Sequence, residues 1–391
     1  MNVPLLDLRR QNEPIRDELL DAFRRVLDSG QFILGKEVEQ FESAAAAVAG
    51  ARFAIGVTSG TDALLLALMA LGIGPGDEVI CPSFTFFATA GSVSRLGARP
   101  VFVDSLDDTF NLDPAGVERL ITPRTRAIIP VHLFGQAANM DEISEIAARH
   151  RLSVVEDVAQ AFGAAYRGRP LGTLGDFGTV SFFPTKNLGA LGDAGLLVTK
   201  DAALAEKARL LRNHGAHPKY YHKMIGGNFR LDALHAALLG VKLPHLCRYT
   251  ELRQQHACQY DRELRRFDGK GAVELRLPAM LEDRTHIVNQ YTIRVGPGPR
   301  WQGPESPRDA LRRHLTARGI GSEIYYPVPL HAQKCFRDLG PQPPLPICER
   351  MAAEVVSLPV FPELTAEEQA SVSEAVGEFV EEGPATLEIG R

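Results

Sequence analysis

The chain is poor in cysteine and has no C-x-x-C pair. Its five thiols, Cys81, Cys247, Cys258, Cys335 and Cys348, are odd in number and widely spaced. That argues against a disulfide scaffold and fits reduced thiols in a cytoplasm. Long hydrophobic runs are missing. The longest, Ala63–Ile73, has eleven residues, too few to span a bilayer. The N-terminus, Met1-Asn2-Val3-Pro4-Leu5-Leu6-Asp7, is charged early and lacks the apolar core of a secretion signal. No charge sign dominates, since the net charge is −5, and nothing points to a general nucleic-acid binder. Internal repeats and low-complexity segments are also absent. What remains is the expectation of a soluble cytoplasmic protein without nucleic-acid or membrane partners. With 391 residues, 45% of them hydrophobic, it can bury one large core and a smaller second one.

The hydrophobic pattern divides the chain. Residues 12–30 carry Ile15, Leu19, Leu20, Phe23 and Leu27 at helical spacing, and Ser29-Gly30 stops the run. A second helix follows through Val38, Phe41 and Ala44–Ala47. From about residue 53, short apolar runs alternate with helical stretches. The runs are Ala54–Val57, Glu78–Cys81, Pro100–Val103, Ala127–Val131, Ser153–Glu156, Thr179–Phe183 and Gly195–Thr199, and helices are expected over 61–72, 85–96, 139–150 and 201–212. This predicts an α/β fold with a mostly parallel, seven-stranded sheet covered on both faces. After about residue 245 the character changes. A long helix (244–266), a strand (290–295), a Pro/Gly-rich loop (296–304), a basic helix (308–318), a Pro-rich loop (341–346) and an acidic helix (365–382) suggest a smaller α+β domain. The expected boundaries are 1–245 for the large domain, with a helical N-terminal segment over 1–50, then 246–382, then a disordered tail at 383–391.

The chemistry gathers around Lys186, in the run Ser181-Phe182-Phe183-Pro184-Thr185-Lys186-Asn187-Leu188-Gly189. Asp157 closes an apolar strand twenty-nine residues earlier. A strand-end acid and a lysine in a Gly-rich turn after a second strand suit pyridoxal phosphate (PLP). The amine forms a Schiff base with the cofactor aldehyde, and the carboxylate keeps the pyridine nitrogen protonated. Taken singly, the two also read as a surface lysine and a strand-end aspartate. The turn Thr58-Ser59-Gly60-Thr61-Asp62 opens a helix, and reads either as a phosphate site or as an ordinary cap by Ser59 or Thr61. Ser181 could add a hydroxyl to that phosphate. In Phe84-Thr85-Phe86-Phe87 at least one ring belongs to the core, and Phe86 is the candidate to stack on the pyridine. Gln160 could bond the cofactor's phenolic oxygen or cap a turn. The loop Gly226-Gly227-Asn228-Phe229-Arg230 reads as anion recognition or as a solvated loop. His214, His217 and His222 have no Cys or acid at ligand spacing, so no metal is expected.

With these residues assembled, the chain resembles the DegT/DnrJ/StrS family of PLP-dependent nucleotide-sugar aminotransferases from Pro4 to about Pro362. The marks are TSGTDALLLAL (58–68), GDEVICPSFTFFAT (76–89), EDVAQAFGA (156–164), SFFPTKNLGALGDAG (181–195), GGNFRLDALHAALL (226–239) and YYPVPLHAQ (325–333). The resemblance implies fold type I of the PLP enzymes and homodimers with shared active sites. It implies that Lys186 carries the cofactor and moves protons, that Asp157 pairs with the pyridine nitrogen and that Gln160 lies near the cofactor oxygen. Gly60, Thr61, Ser181 and the neighbouring subunit's Asn228 would hold the phosphate. Arg230, Tyr326 and His331 would lie near the sugar or the amino donor. The donor is expected to be L-glutamate and the acceptor a nucleotide-linked keto sugar, aminated at C3 in a ping-pong reaction. Amination at C4, another PLP chemistry such as dehydration, and a non-catalytic regulator are the alternatives.

Overall fold

In the computed structural model, which describes residues 2–267, 271–302 and 304–383, the apolar runs form strands β1 (Phe53–Val57), β2 (Glu78–Pro82), β3 (Arg99–Val103), β4 (Thr125–Ile128) and β5 (Ser153–Asp157). They continue through a short hairpin, β6 (Ala165–Tyr166) and β7 (Arg169–Pro170), to β8 (Phe177–Ser181) and β9 (Gly195–Thr199). Seven of them make one sheet in the order β1-β9-β8-β5-β4-β2-β3. All pairings are parallel except those of β9, which runs antiparallel to β1 and β8. Strands β2 and β9 are buried at every position, as strands covered on both faces must be. Helices Lys36–Ala49 and Met140–His150 cover one face, while Gly60–Leu71 and Ala202–Arg212 cover the other. Helix Gly60–Leu71 is buried from Ala63 through Leu68 and again at Ala70, so it runs inside the protein and presents its N-terminus at the sheet edge.

A second antiparallel sheet, β10 (Val273–Arg276), β11 (Tyr291–Pro297) and β12 (Val355–Leu358), packs with helices Leu246–Leu264, Pro307–Ala317 and Ala366–Glu382 around its own core. Val3 joins that core through a bridge to Ile320.

The differences from the sequence reading have local causes. Pro14 forces a tight turn at Glu13–Ile15, so the first long helix begins at Arg16. Pro130 has no N–H to give, and β4 ends at Ile128. Strand β8 lies two residues earlier than its apolar run, which turns at Phe182 to carry Lys186. Helix Pro346–Glu354 starts inside the expected Pro-rich loop because proline is well suited to a first helical turn. Helix Pro114–Leu120 and strands β10 and β12 were too short to stand out. The predicted tail lies, apart from Gly383, outside the described residues.

Arg253, on helix Leu246–Leu264, is 1% exposed. Its Nη1 donates to the carbonyls of Val288, Asn289 and Val360, tying that helix to the loops flanking β11 and β12. Burial pulls its pKa down to about 10, opposed by Glu363. Arg253→Met strands those carbonyls and is expected to cost about 2–4 kcal/mol, read as a lower urea midpoint.

Candidate active site

Because β1, β2, β4, β5 and β8 point the same way, their carboxyl ends share one edge of the sheet. Strand β9 runs back, so it begins there. Gly195 pairs with Val57 on one side and with Ser181 on the other. A Cβ on Gly195 would lie 2.4 Å from the carbonyl of Ser59, and one on Gly60 would lie 2.6 Å from the Ser181 Cβ. Only glycine permits this convergence. Ser59 caps the helix by accepting from Asp62 N–H at 3.1 Å. Gly60 and Thr61 follow as the first helical residues, with no protein acceptor for their N–H groups among the described residues. With the Ser181 hydroxyl alongside, these are the donors that an anion would need. The capping reading holds for Ser59, and it leaves the neighbouring donors free.

Asp157 ends β5 and is 5% exposed. Its Oδ2 accepts from the Thr89 hydroxyl at 3.0 Å, and its Oδ1 from Ala159 N–H at 3.1 Å. Burial raises its pKa. Those two hydrogen bonds and the charges of Lys186 and His132 work against the rise. Lys186 lies in the turn after β8, where its N–H donates to the Phe183 carbonyl at 2.8 Å. The turn closes tightly at Gly189, where a Cβ would stand 2.1 Å from the Pro184 oxygen. Desolvation lowers the Lys186 pKa to about 8, and Asp157 opposes that shift. Both shifts run against an ion pair, and no hydrogen bond joins the two groups among the described residues.

The aromatic segment after β2 divides its rings. Phe84 is fully buried, and Phe87 packs on Phe336 at 5.8 Å. Phe86 is 56% exposed and lies 6.2 Å from the Tyr326 ring. Gln160 Nε2 donates to the Tyr326 hydroxyl at 3.2 Å, and Gln160 Oε1 accepts from Phe134 N–H at 2.6 Å. Burial raises the Tyr326 pKa, so its phenol stays protonated. The His331 ring contacts Ser83 and Glu349. The 226–232 segment runs beside the end of β1, through a bridge from Val57 to Arg230. There the Arg230 guanidinium donates to Asn228 at 2.9 Å and to Asn213 at 3.1 Å.

Sequence reasoning therefore finds residues that converge: Gly60, Thr61 and Ser181 at one corner, Asp157 and Lys186 close enough to shift one another, and Phe86, Gln160 and Tyr326 along one wall. It overlooked Thr89, His132 and Gly195. Thr89 stands one helical turn after Thr85, a spacing that could have marked a hydroxyl pair. His132 donates to the buried Glu156 across 3.1 Å, and no spacing in the sequence signals that contact. Among the described residues no cluster of His, Cys, Asp and Glu could hold a metal.

The donor set fits PLP: an anion site for a phosphate, a lysine easily deprotonated for an aldehyde, and a buried carboxylate without a bonded cation for a pyridinium nitrogen. Comparisons with known proteins agree. Residues 13–377 match the model of the DegT/DnrJ/EryC1/StrS aminotransferase family. A Geobacillus stearothermophilus "pleiotropic regulatory protein" is 50% identical, covering 97% of this chain and 99% of its own. A UDP-N-acetyl-3-dehydro-alpha-D-glucosamine 3-aminotransferase from Acidithiobacillus ferrooxidans is 45% identical, covering 96% and 97%. The structure of Streptomyces venezuelae DesV in complex with a ketimine intermediate has a TM-score of 0.90 at 45% identity, covering 97% of this chain and 98% of that one. Bacillus subtilis NtdA with bound cofactor PMP has a TM-score of 0.88 at 33% identity, covering 96% and 84%.

The geometry predicts the reactivity of Lys186 in cofactor-free protein. Acylation followed by peptide mapping should rise through a midpoint near pH 8 at Lys186. With Asp157→Asn the opposing charge is gone and the midpoint should fall. A midpoint near the ordinary lysine value would restore the surface-lysine reading.

Proposed function

The chain belongs to the DegT/DnrJ/EryC1/StrS aminotransferase family, and on that premise we propose that it moves an amino group from L-glutamate to C3 of a dTDP- or UDP-linked 3-keto sugar, by a ping-pong route. The observation that carries the reading is Lys186, with a pKa near 8, set among the buried Asp157 and the free N–H groups of Gly60 and Thr61. The choice of C3 is supported by the 3-aminotransferase from A. ferrooxidans.

Each residue then has a task. When bound, PLP supplies an electron-withdrawing ring that stabilises negative charge at the donor's Cα. Lys186 anchors the cofactor. Once displaced by the donor amine, it would carry a proton away from that Cα and deliver it to the carbon on the far side of the amine nitrogen, and its low pKa keeps enough free amine at neutral pH. Asp157 would hold the proton on the pyridine nitrogen, and Thr89 and Ala159 N–H fix the carboxylate's direction. Gly60, Thr61 and Ser181 would grip the phosphate, joined by Asn228 of the neighbouring subunit. Phe86 would cover the ring face, and Gln160 would reach the phenolic oxygen. Arg230 and Tyr326 would face the sugar or the amino donor. Exposed Leu20, Phe23, Leu27 and Leu191 give the homodimer an apolar surface to bury. No described helix is long and apolar enough to cross a membrane.

The regulator reading draws on the name of the G. stearothermophilus relative. Lys186 and Asp157 weigh against it, since a regulator needs neither a low-pKa lysine nor a buried carboxylate. Product analysis with L-glutamate and a panel of 3-keto and 4-keto nucleotide sugars tests the proposal. Amination of 3-keto substrates is expected; turnover of 4-keto substrates alone would overturn the C3 assignment. Lys186→Ala should lower turnover by at least about 10³-fold, losing both the anchor and the proton carrier. Asp157→Ala should slow both half-reactions while leaving the far-UV circular dichroism unchanged.

A further inference from the structure

The family resemblance puts His331 near the sugar or the amino donor, yet both nitrogens of its ring are engaged within the chain. Nδ1 lies 2.6 Å from Ser83 Oγ, and Nε2 lies 3.3 Å from Glu349 Oε1. The backbone N–H of His331 donates to the same Ser83 oxygen at 3.2 Å. Leu330 N–H donates to the Ser83 carbonyl at 2.8 Å. The Ser83 hydroxyl, already accepting one N–H, has its own proton free to donate. The Glu349 carboxylate can only accept, so in the neutral ring the proton sits on Nε2 and Nδ1 accepts from the Ser83 hydroxyl. A serine, a histidine and a carboxylate in this order invite comparison with a nucleophilic triad. Ser83 is 0% exposed, so no substrate can reach its oxygen, and that reading fails on access.

The position of the contact gives it another meaning. Ser83 follows β2 and opens the segment that carries Phe86 and, one turn later, Thr89, the donor to Asp157. His331 closes the segment that carries Tyr326, whose hydroxyl accepts from Gln160. Tyr326 lies 6.1 Å from Phe84 and 6.2 Å from Phe86. Three hydrogen bonds converging on one buried serine thus fasten two walls of the pocket together, one following a strand of the large sheet and the other leading from β11 toward β12.

We propose that His331 is a positioning residue: through Ser83 it holds Tyr326 against Phe86 and Gln160 from behind the pocket, without touching substrate. The inference rests on the aminotransferase reading of the site. The test uses the different reach of two amides. Asparagine places its amide where Nδ1 stands and preserves the bond to Ser83. Glutamine reaches the Nε2 position and loses that bond.

In steady-state assays with L-glutamate and the accepted keto sugar, Ser83→Ala and His331→Gln should each lower kcat about 10- to 100-fold, as small displacements of a reacting geometry do. KM for the sugar should stay within about threefold in both. His331→Asn should recover most of kcat, and the Ser83→Ala/His331→Gln double variant should be no worse than the poorer single one. Hydrogen exchange on the cofactor-free proteins supplies a readout independent of turnover. Amides across 325–333 should exchange at least about tenfold faster in Ser83→Ala and near the parental rate in His331→Asn. Parental kinetics and exchange in Ser83→Ala would overturn the proposal. So would a His331→Asn variant as impaired as His331→Gln with a raised KM, because His331 would then touch substrate. A parent protein that aminates no keto sugar would refute the aminotransferase reading, and the exchange result would still decide whether the Ser83–His331 joint exists.

Discussion

The structure turns on one electrostatic constraint: a carboxylate and an amine share a place with too little water to charge both comfortably. Asp157 is pushed up and Lys186 down, each mainly by desolvation. An isolated buried charge costs several kcal/mol (on the order of the penalty for one ion after relaxation) unless polar groups surround it. The chain supplies them to Asp157 from two directions, the Thr89 hydroxyl and the Ala159 N–H. Glu156, the adjacent residue, points to the opposite face of the sheet and is better satisfied, accepting from Gly172, Leu174 and Gly175 N–H and from His132. The contrast between the neighbours is instructive. Glu156 is saturated by its own chain and organises a loop, whereas Asp157 keeps capacity for a cation that the protein does not itself provide.

That capacity would have little use without the sheet geometry. Parallel strands deliver their carboxyl ends to one edge, where ligands of open α/β sheets sit. Here β1 ends at the helix N-terminus, β5 at Asp157 and β8 at Ser181, while β9 returns through the same edge with Gly195 against Ser59. A side chain at Gly195 or Gly60 would push the helix N-terminus off the sheet and open the anion site. Two glycines and one antiparallel strand thus decide whether the helix N-terminus, Ser181 and the turn that carries Lys186 can come together.

Much of this was legible in the sequence because it lives on short stretches of chain. Strand β9 falls on its apolar run to the residue, and Ser59, Asp157 and Lys186 are read from the strand end or turn they occupy. Contacts between distant segments were not legible. Thr89 lies 68 positions from Asp157, and His331 lies 248 positions from Ser83, so no periodicity links them. Short elements failed for another reason. Strand β10 has four residues, and its exposed Glu274 and Arg276 alternate with a buried pair in a segment too brief to rise above the loops around it. Proline misled in both directions: it ended β4 early and began helix Pro346–Glu354 where a loop was expected.

The two parts of the chain must also be held in register, because the pocket draws on both. Asp104, just after β3, accepts from Ile347 and Cys348 N–H and caps a helix that belongs in sequence to the second part. Asp107 meets Arg294 on β11 and Arg276 on β10, as well as Arg350. Single exposed ion pairs contribute little. Arg294, however, is 3% exposed in its side chain and bridges Asp107 and Glu354 together, which makes it a joint between sheets rather than a surface pair. The proton transfer proposed for Lys186 would depend on close placement of the reacting groups, and Tyr326 reaches Gln160 only if the second part of the chain is seated. The polar contacts at β3 and β11 therefore seat the segment that carries Tyr326 against the one that carries Gln160, the placement that the proposed proton transfer would need.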